Sequence, residues 1–150
     1  MRRTTSFYIF ALSVVLFIAF QGCQNNKNRQ GIHVFFESPP SFYQQDVYWF
    51  GQAVGKIVDQ QVGRSSVARI TVQLDPQFEK RIGKNWAFFV EQGRLTACQL
   101  SLSGDTFAAG DNACGFNSKA ALNWFKLKTL LNDRVGAAMR KADRLQMRFG

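Results

Sequence analysis

The 150-residue sequence predicts a mainly β fold: a small sandwich or barrel of about seven short strands, preceded by an export or anchor segment and followed by one amphipathic helix. Three observations carry this reading. Short runs of β-forming residues recur between Gly, Pro and Asp clusters from Ile32 onward. The hydrophobic period changes to steps of three and four after Ser118, and an apolar run follows Arg2 and Arg3 at the start of the chain.

The apolar run extends from Phe7 to Phe20 and gives way to Gln21, Gly22 and Cys23, the layout of a signal segment over residues 1–22. As a helix it would span about 21 Å, short of the roughly 30 Å hydrocarbon core. Length therefore favours cleavage over an uncleaved anchor, although no charge lies between Arg3 and Lys27. The Gly22-Cys23 pair resembles the end of a bacterial lipobox, with Phe20 where that pattern usually has Leu; the resemblance implies a covalent lipid on Cys23. Residues 23–30 are a polar tether. The body is then expected on the periplasmic side of a Gram-negative envelope. Gln24, which lacks the acidic character associated with inner-membrane retention, points to the outer membrane.

The domain proper is assigned to residues 31–117. Ile32 to Glu37 reads as a first strand that stops at Pro39-Pro40, where two backbone donors are missing. Asp46 to Phe50 is a second strand, and Gly51 turns the chain into a third, Val54 to Val62. Val67 to Leu74 alternates, with Ile70, Val72 and Leu74 on one face. Asp75-Pro76 opens a connector of about one helical turn. Trp86 to Glu91 and Leu95 to Leu102 follow as strands, and turns at Gly104-Asp105 and Gly110-Asp111 enclose a short strand near Phe107. No crossover helices are visible that would support parallel pairing.

Residues 118–150 read as one amphipathic helix, capped by Ser118. Trp124, Leu127, Leu131, Val135, Ala138, Ala142 and Leu145 fall on a narrow stripe. Asn132-Asp133 and Gly136 are points where it could divide. The stripe suits the inner face of a helix bundle, a helix packed on its own barrel, or a membrane-surface helix.

Charge is unevenly placed. Residues 23–118 carry nine Lys/Arg against eight Asp/Glu, whereas residues 119–150 carry eight against two. A neutral body argues against nucleic acid, which calls for basic charge on a domain face. With Cys23 assigned to lipid, Cys98 and Cys114 remain as a candidate disulfide in an oxidising compartment, or as two buried thiols. His33 is the only histidine, which leaves no metal set and no Ser-His-Asp or Cys-His arrangement without it. The expectation is a non-enzyme.

The segment Val47-Tyr48-Trp49-Phe50-Gly51-Gln52-Ala53-Val54-Gly55-Lys56-Ile57 resembles the signature Val-x-x-x-Gly-x-x-Val-Gly-x-Ile/Val of mammalian-cell-entry domains of bacterial lipid-transport systems. Gly51 and Gly55 are expected to supply φ freedom at a tight reversal, with Val47, Val54 and Ile57 entering the core. Gly93-Arg94-Leu95-Thr96 stands where that family usually shows Gly-Leu-Leu-Gly, and Ala109-Gly110-Asp111 matches its closing turn before the helix. The resemblance implies a seven-stranded barrel assembling as a homohexameric ring, with the Gly93 loop as pore loop, in an ABC-type system whose permease and ATPase are partners and whose cargo is phospholipid or another lipid. Arg94 and Thr96 depart from the family's Leu and Gly and leave Leu95 as the loop's one large apolar residue. Arg94 then either grips lipid phosphates or faces solvent. The alternative function is a structural or adaptor envelope lipoprotein that docks a partner without carrying lipid.

Overall fold

The computed structural model describes residues 31–102, 104–108, 110–129 and 134–150; the signal segment, Cys23, the tether and Leu131 lie outside them. Alternating burial organises the strands. In β4 (Ala68–Leu74) the side chains of Ala68, Ile70, Val72 and Leu74 point inward and the residues between them do not. β1 (Ile32–Phe36), β2 (Asp46–Trp49), β3 (Gln52–Val62), β5 (Trp86–Glu91), β6 (Arg94–Gln99) and β7 (Asn112–Phe116) complete a closed barrel in the order β1-β4-β3-β2-β6-β5-β7. Closure removes the free edges that an open sheet would leave.

The inside of the barrel is solid. Val34, Phe36, Val47, Val54, Ile70, Val72, Phe88 and Leu95 meet there with no solvent exposure. One mouth is stoppered by the short helix α1 (Pro76–Glu79), whose buried Phe78 stands 6.2 Å from Trp49, itself 5.1 Å from Trp86. The Asp75-Pro76 connector thus forms the expected helical turn and works as a plug.

Three expectations are corrected by the sheet. First, three neighbour pairs, β1/β7, β2/β6 and β5/β7, are parallel. Strands far apart in sequence close the barrel, and the long intervening chain supplies the crossover without a helix on the sheet face. Second, the seventh strand is β7, while the Phe107 region makes only an isolated bridge from Thr106 to Gly83. Asn112-Ala113-Cys114-Gly115-Phe116 is poor in β-branched residues, yet it lies between β5 and β1 and is covered on both faces, with Ala113 inside and Cys114 and Phe116 beneath the C-terminal helices. Third, β6 ends at Gln99, and Leu102 projects from the following loop with 98% of its surface exposed.

The C-terminal region holds two helices, α2 (Lys119–Lys128) and α3 (Arg134–Phe149), in place of one. Ser118 caps α2 as expected, its Oγ accepting from the Ala121 N–H at 3.1 Å. The division splits the apolar stripe. Ala138, Ala142 and Leu145 are buried against the barrel and Val135 is partly so, whereas Trp124 and Leu127 are 60% and 79% exposed. α2 packs through Leu122 and Phe125 instead, Phe125 tilting against Phe116 at 5.1 Å. Among the described residues no helix is long and apolar enough to cross a membrane.

Cys98 and Cys114 are free thiols, and the register explains why. Cys98 pairs with Ala87, and Gly115 pairs with the adjacent Phe88, so the two cysteines flank β5 from opposite sides. Two strand spacings separate their backbones by roughly 9.5 Å, beyond the ~7 Å Cα limit for a disulfide. Burial pushes the Cys114 thiol up to about 12, while half-buried Cys98 receives a 3.1 Å hydrogen bond from Lys126 Nζ. A thiol reagent under native conditions is expected to modify Cys98 and to spare Cys114 until the chain unfolds. Peptide mapping by mass spectrometry reads the difference; equal native labelling would contradict the burial.

Candidate functional site

The residues carrying the family resemblance build two hairpins side by side. In the β2–β3 hairpin, Trp49 pairs with Gln52 across a two-residue turn in which Phe50 and Gly51 both have positive φ, 47° and 78°. That is the mirror-image turn that matches strand twist. Val54 is the extra residue of a bulge opposite Val47-Tyr48, and both valines enter the core, with Ile57 partly buried beside them. Gly55 serves differently from the expectation: it has no positive φ, but a Cβ there would strike the Gln73 carbonyl oxygen and come within 2.9 Å of Leu74 Cα on β4. Its role is close approach of two strands, and of the two glycines only Gly51 supplies left-handed backbone.

In the β5–β6 hairpin, Glu91 pairs with Arg94 across Gln92-Gly93, again with positive φ at both positions. A Cβ on Gly93 would run into the Tyr43 ring, and the Gly93 carbonyl accepts from the Tyr43 N–H at 2.9 Å. The segment before β2 therefore braces the tip of this hairpin.

β2 and β6 run parallel with Val47 beside Leu95 and Tyr48 beside Thr96. The period of two then sorts the expected loop residues. Leu95 faces inward and is completely buried, so it is a core residue and not an apolar contact for a ligand outside the barrel. Arg94, Thr96 and Cys98 face outward. Along that face lies a groove of about 380 Å³ that follows β6 from its first residue to its last, excepting Leu95. Phe89, Tyr48 and Trp49 form its apolar walls, and Phe50-Gly51 closes one end. At the other end stand Gln92, Arg94, and Glu91 paired with Lys119 at 3.0 Å. The Arg94 guanidinium lies 5.2 Å over the Tyr48 ring, whose hydroxyl donates to Gln44 Oε1 at 3.0 Å. Such stacking orients a guanidinium while leaving its donors able to meet an anion.

Arg94 and Thr96 are thus brought together at the groove, whereas Leu95, Trp124, Leu127 and the buried part of the α3 stripe are elsewhere. Tyr48, Phe50, Glu91 and Lys119 join the site without having been singled out in the sequence. Tyr48 and Phe89 were legible in principle, because a strand whose Val47 or Phe88 points inward must present its neighbours outward. The Glu91–Lys119 pair bridges 28 positions and left no sequence signal.

Elsewhere, α3 is pinned to the end of β1 by Lys141, which bonds Glu37 Oε1 at 2.8 Å and lies 4.7 Å over the Phe116 ring. The Lys141 hydrogen bond holds the Glu37 carboxyl below its ordinary value of 4.5, against the desolvation that raises it, with Arg148 and Arg144 assisting. The unfolded chain therefore takes up this proton first. The contribution is complete above the ordinary value and is lost as pH falls through the depressed one. Glu37→Gln is expected to lower the melting temperature slightly at pH 6 to 8, where the Lys141 pair is intact, and to converge on wild type below about pH 4.5, so that its decline with acid is flatter. His33, in β1 beside Thr71 Oγ1 at 3.3 Å, has its pKa lowered by burial and then by Arg69. Among the described residues no three His, Cys, Asp or Glu side chains gather as metal ligands.

No protein-family model matches the chain, and no curated protein matches it.

Proposed function

We propose that this chain is a membrane-tethered, periplasm-facing subunit of an ABC-type lipid transport system, resembling the mammalian-cell-entry domains, that works as a homohexameric ring. The observation that carries the reading is the pairing of a filled barrel with an outward groove. The interior has no room for cargo, so lipid must travel along outer faces, and the groove beside β6 offers apolar walls with Arg94 at one end. A ring would line a channel with such faces: apolar surface shields acyl chains from water, and guanidinium groups meet phosphates bidentately. The cargo is phospholipid or a related anionic lipid, and no step of covalent chemistry is involved.

Two measurements test this. Native mass spectrometry of the fragment beginning at Asn28 is expected to show hexamers; a clean monomer at high concentration would sink the ring. Lipid extracted from protein purified out of membranes is expected to include phospholipid, and Arg94→Glu is expected to reduce the yield severalfold with an unchanged melting temperature. If no lipid is recovered and Arg94→Glu behaves as wild type in cells, the adaptor lipoprotein becomes the better reading.

A further inference from the structure

The barrel has two unlike ends. The pairing fixes which turns share an end: β1 runs parallel to β7, β7 to β5, and β2 to β6. Gly31, where the tether enters, therefore shares an end with the start of β5, the close of β6 and the close of β2. The Gly31 carbonyl accepts from the Gly110 N–H at 3.1 Å, the Leu100 N–H donates to the Asn85 carbonyl at 2.7 Å, and Asn85 Nδ2 donates to the Ser101 carbonyl at 2.6 Å. Two apolar side chains project from this same end. Phe50 tips the β2–β3 hairpin with 92% of its surface exposed, and Leu102 is barer still. The far end carries the Gln92-Gly93 turn, the Arg64-Ser65-Ser66 turn and the Ser38-Pro39-Pro40-Ser41 passage, with Tyr43 as its exposed aromatic.

We infer that the tether end of the barrel is a bilayer-contacting surface, in which Phe50 and Leu102 enter the headgroup boundary of the membrane that holds the N-terminus. This rests on reading Phe7 to Cys23 as the membrane attachment. Residues 23–30 span at most about 28 Å fully extended, so the end that bears Gly31 stays within reach of the surface at all times. Phe50 touches the Trp49 ring, with centroids 5.6 Å apart, but keeps nearly all of its surface in solvent, and a turn of this type, with left-handed backbone at its tip, is better served by Asn or Gly. Exposed apolar tips beside an attachment point suit a second, interfacial contact with the surface that the N-terminus holds close. Charge at this end is balanced, with Lys80, Arg81 and Lys84 against Asp75, Glu79, Asp105 and Asp111, and Lys84 is 3.6 Å from Asp111. The contact is thus apolar insertion, insensitive to salt and to headgroup charge.

The test uses the full-length chain in membranes containing radiolabelled phospholipid, with the photoreactive residue benzoylphenylalanine placed in turn at positions 50, 102 and 43. Illumination is expected to give lipid adducts at 50 and 102 severalfold above those at 43, at low and high salt alike. Adducts at 43 and not at the other two, or protein adducts in place of lipid at 50 and 102, would overturn the inference. So would no adducts at all from a chain that still sediments with the membranes after a high-salt wash, an outcome that leaves the tether standing. A chain that the wash releases removes the tether reading, and this inference goes with it.

Discussion

Leu95→Asn is expected to lower the stability of the fold by about 4–6 kcal/mol, the sum of a lost buried Leu side chain and an amide with no partner in an apolar interior. Leu95 is fully enclosed between β2 and β5, beside Val47 and opposite Val90 in the register, and the barrel core around it consists of aliphatic and aromatic groups. For a domain whose whole stability is on the order of 5–15 kcal/mol, such a loss leaves a chain that unfolds about 15 °C or more below wild type. The neighbouring Arg94→Gln is expected to change stability by no more than about 0.5 kcal/mol, because its side chain is exposed and stacks only on Tyr48. Thermal melts of the two variants read the contrast directly. A Leu95→Asn protein that melts like wild type and has lost only lipid would mean that this side chain reaches a ligand, which its burial forbids.

That contrast shows how legible the chain was. Wherever one face of a strand is buried and the other is not, the pattern is written in the residues: Ile70, Val72 and Leu74 alternate inward as the sequence requires. The same rule, applied to β6 from Leu95, would have sorted Arg94, Thr96 and Cys98 outward. A loop picture borrowed from the family resemblance put Leu95 among the ligand contacts, and tertiary context removes it from them. β7 escaped because it is buried on both faces by different partners, Ala113 by the barrel and Cys114 and Phe116 by α2 and α3, so neither period appears. The C-terminal stripe was real as a pattern, yet it does not act as one surface. α3 spends its part on the barrel, whereas α2 turns Leu122 and Phe125 inward and leaves Trp124 and Leu127 in solvent. What no single-sequence rule reaches is the groove, since it depends on Lys119 meeting Glu91 and on two hairpins lying side by side.

The two glycines of the Val47–Ile57 segment give the other large effect, and their order reverses what their shared place in a turn motif suggests. Gly55→Val is expected to cost about 3 kcal/mol or more, at or above the upper range for overpacking. The new side chain would press on backbone, the Gln73 carbonyl and Leu74 Cα, and β4 cannot withdraw because it is paired to β1 on one side and to β3 on the other. Gly51→Ala is expected to cost about 1–2 kcal/mol, the penalty of left-handed backbone for a residue with a Cβ, since nothing lies within 4 Å of the space the methyl would fill. Gly51→Asn should recover most of that loss, because Asn tolerates the same φ; no polar substitution rescues position 55. Chemical denaturation of the three variants separates a conformational requirement from a spatial one. A Gly51→Ala protein less stable than Gly55→Val would show that the hairpin turn, and not the approach of β3 to β4, is what the motif protects.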